Sequence, residues 1–129
     1  MLSLLHIENI AVIECADISF DQGFNVLTGE TGAGKSIVID AISAVLGQRT
    51  SRELIRTGAK SALVTAVFSG LPFIPWMEEN GFKQGEELLL QREIQPLEKM
   101  VFTFFRICCI VRTNRVGTSR EVLSEWGVV

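Results

Sequence analysis

The sequence predicts an α/β fold in which a glycine-rich loop joins a buried strand to a buried helix. Residues 29–36 read Gly-Glu-Thr-Gly-Ala-Gly-Lys-Ser, which matches the phosphate-binding loop pattern Gly-x4-Gly-Lys-Ser/Thr. A short apolar run at 24–28 precedes the loop, and a mostly apolar stretch of helical length follows it at 36–46. Two further strand-like runs lie nearer the N-terminus. Together they predict an antiparallel β layer that leads into a P-loop core.

The β layer is predicted from two runs, 2–7 and 16–20, the second with alternating apolar residues. Asp-Gln-Gly at 21–23 is a turn signal, so we expect a hairpin between the second run and the strand at 24–28. His6 has apolar neighbours on both sides and is expected to be a structural residue rather than a ligand.

Three acidic residues accompany the β layer, and we expect all of them to be solvated: Glu8, Glu14 and Asp17. Nothing in their spacing pairs them into an acid–base site. The sequence therefore offers no catalytic residue in the β layer.

The loop supplies the candidate binding residues. They are Gly29, Glu30, Thr31, Gly32, Ala33, Gly34, Lys35 and Ser36. Glycines let backbone N–H groups approach an anion closely, and the following helix directs the positive end of its dipole at the same place. Lys35 would neutralise the terminal phosphates, and the Ser36 hydroxyl would ligate Mg²⁺. We expect a nucleotide site here.

The predicted helix at 36–46 has one polar stripe, made by Ser36, Asp40 and Ser43, on an otherwise apolar surface. Gly47 is a natural C-terminal stop. The β-branched residues of its first half are poor helix formers, so burial has to stabilise the helix.

A basic segment follows. Ser51 is expected to cap a short helix through Ile55, which would place Arg49, Arg52 and Arg56 on one face. A solvated basic face is the simpler interpretation. Contact with nucleic-acid phosphates or with the nucleotide is the alternative.

The remaining elements are two strands, at 61–69 and 87–94, and one helical turn at 76–80. Core packing is expected for Trp76, although stacking on a base is an alternative. The dense apolar run at 100–111 is interpreted as a buried strand, because it is too short to span a membrane and contains Arg106.

Composition agrees with one small globular domain of 129 residues with a net charge of −3. Cys15, Cys108 and Cys109 lack the spacing of a metal clasp, which favours reduced thiols in a cytosolic protein. The N-terminus has no basic region of a secretory signal.

Several segments resemble the SMC-like family of ATP-driven DNA-repair ATPases. They are 2–10, 23–36, 40–42, 46–49, 56–60, the strand to residue 68, and 90–94. The resemblance implies residues 1–95 as the N-terminal half of an ABC-type ATPase head that binds ATP and Mg²⁺. It also implies a second head or C-terminal half to complete the site, DNA double-strand breaks as targets, and a bacterial, cytoplasmic, nucleoid-associated protein without a membrane anchor.

The sequence contains no Walker B acid pair, no signature motif and no sustained heptad. We therefore expect an incomplete head that binds nucleotide without hydrolysing it alone. Residues 96–129 depart from the family pattern and are interpreted as a divergent tail, aberrant or out of frame. A self-standing small P-loop kinase and an inert truncated product are the alternatives.

Overall fold

The computed structural model describes residues 1–30, 34–97 and 100–110, with backbone alone for 97 and 100–110. Its strands are β1 (Leu2–Ile10), β2 (Ile13–Ser19), β3 (Ala62–Ser69), β4 (Glu87–Leu97) and β5 (Met100–Ile110). Its helices are α1 (Lys35–Val45) and α2 (Pro75–Glu79), with a 3₁₀ turn at Arg52–Leu54. None of the helices in this part of the chain is long and apolar enough to cross a membrane.

The strands form one antiparallel sheet in the order β2-β1-β3-β4-β5. β1 and β2 are joined by a tight turn at Ala11 and Val12, because Ile10 pairs with Ile13. Asn9 and Ala11 adopt positive φ angles of 54° and 47° there. The turn is held by the 3₁₀ segment, since the Ala11 N–H donates to the Leu54 carbonyl at 2.8 Å.

Helix α1 covers one face of the sheet and forms the main apolar core with it. The buried residues of this core are Leu5, Ile7, Ile10, Val38, Ala41, Ala44, Val45, Ala62, Val64, Ala66 and Ile94. Burial of side chains of this size stabilises the fold by about 1.5–3 kcal/mol for each large one. Val38 of α1 lies in this core and Ile37 packs against it, so burial stabilises the β-branched start of the helix at these two residues, although Ile39 is exposed.

The C-terminal end of α1 has the predicted glycine stop. Gly47 has a φ of 95°, and its N–H donates to the Ala44 carbonyl at 3.0 Å. The Gln48 N–H donates to the Ser43 carbonyl at 3.1 Å, which completes a Schellman motif.

Arg92 of β4 anchors the same helix end from the sheet. Arg92 is 5% exposed, and its guanidinium donates to the carbonyls of Ala44 and Gln48 at 2.6 Å each, and to the Thr50 hydroxyl at 3.2 Å. Desolvation by burial lowers the pKa of Arg92. A cation here also interacts favourably with the negative end of the helix dipole. Arg92 therefore fixes α1 on the sheet.

The predicted strand at 24–28 is wrong, because the described residues there have no regular structure and Phe24 is 92% exposed. A strand needs a neighbour for its backbone hydrogen bonds, and none of the described strands lies beside this run. The predicted hairpin at 21–23 is wrong for the same reason. The Asn25 side chain closes this segment as a loop, with Nδ2 donating to the Asp21 carbonyl at 2.9 Å.

The short helix predicted from Ser51 through Ile55 is a 3₁₀ turn, and Ser51 makes no side-chain capping hydrogen bond to it. The remaining element predictions agree with the structure, with shifted bounds. β2 begins three residues before the predicted run at 16–20, and α1 begins one residue early. β3, β4 and α2 lie where they were predicted. The apolar run at 100–111 forms strand β5. The structure describes only the backbone of this strand, so the burial of its side chains stays a prediction.

Trp76 does not pack in the core. It is 56% exposed and stacks on Phe82 with the ring centroids 6.0 Å apart. Met77 is the residue of α2 that is buried. Because successive helical residues are turned by about 100°, burial of Met77 leaves Trp76 facing outward.

Candidate nucleotide-binding site

The glycine-rich loop lies at the N-terminus of α1, as the sequence predicted. Gly29 and Glu30 are exposed, whereas Thr31, Gly32 and Ala33 lie outside the described residues. Gly34 is the N-cap of α1, with a φ of 94° and a ψ of 5°. This left-handed conformation is readily available only to glycine, so the residue type at this position follows from the backbone.

Lys35 turns back over the loop. Its Nζ donates to the carbonyl oxygen of Gly29 and, at 3.1 Å, to that of Glu30. The ammonium group is thus held against the backbone of the first two loop residues, Gly29 and Glu30. A compact positive charge in this position is suited to an anion held by the same loop.

The first turn of α1 offers donors to such an anion. No side chain caps it, and no acidic residue lies in the first turn among the described residues. The first N–H groups of a helix have no partner within the helix, and they carry the positive end of its dipole. Ser36 is exposed beside them, so its hydroxyl is available to a metal ion. The donor set therefore fits a phosphate group accompanied by Mg²⁺.

The polar stripe of α1 borders a groove of about 410 Å³. Asp40 and Ser43 line it from the helix, and Arg49 and Glu53 line it from the segment that follows. Charged residues of both signs, Asp40, Glu53 and Arg49, thus line the groove.

The three arginines do not share a helical face, so this prediction is wrong. Arg49 precedes the 3₁₀ turn, and Arg56 follows it. Arg56 instead donates to the Val12 carbonyl at 2.8 Å and lies 3.9 Å from a carboxylate oxygen of Glu14. The 3₁₀ turn spans only Arg52–Leu54, so it is too short to carry the i, i+3 and i+7 positions on which the prediction depended.

A second polar cluster lies on the sheet face opposite α1. His6 is 1% exposed; its Nδ1 lies 2.6 Å from Asp17 Oδ1, and its Nε2 lies 3.1 Å from Glu8 Oε1. The expectation that Glu8 and Asp17 are simply solvated is therefore wrong. Local sequence carried no signal for this cluster, because it depends on the pairing of β1 with β2.

Comparison with known proteins places this geometry in a family. Residues 4–99 match the model described as AAA domain. The chain belongs to the AAA domain family. The matched residues include the whole glycine-rich loop and most or all of four of the five described strands, β1 to β4.

Curated relatives identify the branch. The AAA domain chain is 51% identical over 133 aligned residues to the DNA repair protein RecN of Synechocystis, covering 97% of this chain and 21% of that protein. It is 45% identical to RecN of Bacillus subtilis, covering 71% of this chain and 16% of that protein. It is 38% identical to RecN of Vibrio cholerae, covering 73% and 18%. The chain thus spans about one fifth or less of the curated relatives it matches.

A solved structure supports the fold. The AAA domain chain matches a chain from a study of ATP-driven dimerization and DNA-stimulated activation of SMC ATPases, with a TM-score of 0.62 and 24% identity. The match covers 98% of this chain and 78% of that chain. The predicted resemblance to SMC-like repair ATPases is confirmed, in its RecN branch and as an N-terminal segment, and so is the incomplete P-loop fold with its antiparallel β layer.

Proposed function

We propose that residues 29–36 bind the phosphates of MgATP, and that the chain is the N-terminal ATP-binding lobe of a RecN-like ATPase acting on DNA double-strand breaks. The observation that carries the proposal is the start of α1. There a left-handed Gly34, uncapped helical N–H groups and the Lys35 ammonium converge on one exposed loop.

Lys35 is the residue on which phosphate binding depends most. In the structure its ammonium group donates hydrogen bonds to two neutral backbone carbonyls, those of Gly29 and Glu30. Transfer of these donors to phosphate oxygens would exchange neutral acceptors for charged ones, which form the stronger hydrogen bonds. Ser36 would hold Mg²⁺ next to the same phosphates, and the remaining metal ligands would be phosphate oxygens and water.

Binding without turnover is the expected behaviour of the isolated chain. Phosphoryl transfer to water needs a residue that positions the attacking water and charges that stabilise the transition state on its other side. The sequence has no apolar strand that ends in an Asp-Glu pair. We therefore assign hydrolysis to a complete head, and the present site residues to binding.

A surface for the missing part of the head is suggested by exposed apolar residues near the loop. Phe24, Val26 and Leu27 are exposed before the loop, and Ile39 is exposed on α1. Exposed apolar side chains of this size are candidates for contact with another part of the protein. We assign these residues to contact with the C-terminal half of the head or with a second head. We also propose that the complete protein is cytoplasmic and associated with the nucleoid.

MgATP titration of the purified chain, followed by calorimetry, tests the binding site. Loss of a charge-assisted hydrogen bond costs about 1.5–3 kcal/mol, so Lys35→Ala should weaken binding by about 10–100-fold. Lys83→Ala is the matched control, because it removes an exposed lysine in the loop after α2. Equal affinity of wild type and Lys35→Ala would overturn the site. Rapid ATP turnover that Lys35→Ala abolishes would overturn the assignment of binding alone.

A further inference from the structure

The polar cluster of the β1–β2 hairpin brings together side chains that the nucleotide site does not use. His6 pairs with Asp17 across the two strands, and Glu8 pairs with Cys15. Residues two apart in a strand face the same side, so all four lie on the face opposite α1. Ligand atoms of His6, Glu8 and Cys15 lie within 4.8 Å of one another.

The hydrogen bond to Asp17 determines which ring nitrogen of His6 is free of a proton on the side of Glu8 and Cys15. An ionised carboxylate only accepts hydrogen bonds, so at 2.6 Å the Nδ1 of His6 carries a proton and donates it to Asp17. In a neutral imidazole this leaves a lone pair on Nε2, which lies 3.1 Å from the Glu8 carboxylate. Two acceptors at that distance repel unless a proton or a metal cation lies between them.

The same arrangement is known in metal chemistry. A ligating histidine usually donates its other ring N–H to a carboxylate, which fixes the ring and raises the basicity of the ligand nitrogen. A tetrahedral ion bound at about 2.0–2.3 Å holds its ligand atoms about 3.3–3.6 Å apart. The 3.1 Å between Nε2 and Glu8 Oε1 is close to this spacing, and the Cys15 thiol lies within 4.8 Å of the ligand atoms of both residues.

We propose that His6, Glu8 and Cys15 bind a divalent transition-metal ion, with Asp17 orienting His6. Zn²⁺ matches the set best, because it accepts thiolate, imidazole and carboxylate together in tetrahedral geometry. Its charge would offset that of the thiolate and the two carboxylates, with water as the fourth ligand. The site would join β1 to the edge strand β2, and it is independent of the proposed nucleotide function.

Zn²⁺ titration of the reduced chain by calorimetry, without nucleotide, tests the stoichiometry. The test uses a Cys108→Ser, Cys109→Ser background, so that Cys15 is the single thiol. We expect one equivalent to bind, and Cys15→Ser to remove this binding. Asp17→Asn should weaken it by about 10–100-fold, as changes to outer-shell partners do. Glu14→Gln is the control, because Glu14 adjoins Cys15 but its side chain is largely exposed and outside the cluster.

Co²⁺ in place of Zn²⁺ identifies the ligand. A thiolate-to-cobalt charge-transfer band should appear in the Cys15 protein and be absent from Cys15→Ser. Thermal melting without metal shows whether each variant is folded, and Glu8→Gln is a second ligand variant should Cys15→Ser melt early. Zn²⁺ binding of equal affinity in the Cys15 and Cys15→Ser proteins, or no charge-transfer band in the former, would overturn the proposal.

Discussion

Replacement of Arg92 by methionine tests how α1 is held on the sheet. Methionine keeps an unbranched apolar stem but has no donors for the Ala44 and Gln48 carbonyls or the Thr50 hydroxyl. Hydrogen bonds from a charged donor are worth about 1.5–3 kcal/mol each, so the loss of three removes about 4.5–9 kcal/mol before any compensation. Part of this loss is offset, because methionine avoids the cost of burying a charged group. That cost is visible in Arg92, whose pKa is lowered by desolvation.

We expect a net destabilisation of about 3 kcal/mol for Arg92→Met, which corresponds to a fall in Tm of roughly 10 °C for a chain of this size. Urea unfolding followed by circular dichroism measures it. Arg49→Met is the matched control, since Arg49 is exposed in the neighbouring segment and should change stability by less than about 0.5 kcal/mol. Arg92→Lys keeps the charge with a single donor group and should fall between the two. Equal unfolding midpoints for Arg92→Met and Arg49→Met would refute the anchoring role.

Three other substitutions probe features of the loop and its helix. Gly34→Ala forces a side chain into a φ of 94° and should cost about 1–2 kcal/mol of unfolding free energy in a thermal melt, since its Cβ would meet Ile13 only at an ordinary 3.5 Å. Gly47→Ala strains the Schellman motif and should cost about 1 kcal/mol; an unchanged melt would argue against the left-handed cap. Phe24→Ser removes a side chain that is 92% exposed, so the Tm should stay within about 2 °C while light scattering reports less self-association. A large fall in Tm for Phe24→Ser would show that residue to be buried.

Features with a local cause were predictable from the sequence. The glycine-rich loop is a contiguous pattern, and α1 follows from its apolar periodicity and from Gly47. The apolar runs that became β3 and β4 have neighbours in the sheet that satisfy their backbones. The apolar run at 24–28 looked equally strand-like, but no described strand is available to pair with it.

Features that depend on register or on distant contacts were not predictable. His6 meets Asp17 only because the turn at Ala11 and Val12 sets the pairing of β1 with β2. Arg92 reaches carbonyls more than 40 residues earlier in the chain. At the candidate nucleotide site, the residue types could be identified from the sequence, whereas the hydrogen bonds of Lys35 to Gly29 and Glu30 could be seen only in the structure.

The position of β1 between β2 and β3 in the sheet has a consequence for synthesis of the protein on the ribosome. β1 finds its first neighbour, β2, at once, but its second neighbour is β3, whose pairing reaches Phe68. The glycine-rich loop and α1 are therefore synthesised before β3, the central strand of the sheet, is available to pair with β1. During that interval the apolar side of the hairpin and the apolar side of α1 are both uncovered, and the closing of a loop of about 60 residues is slow. Chaperone contact at this stage would protect the nascent chain, and a stall in translation before β3 emerges would leave it prone to aggregation.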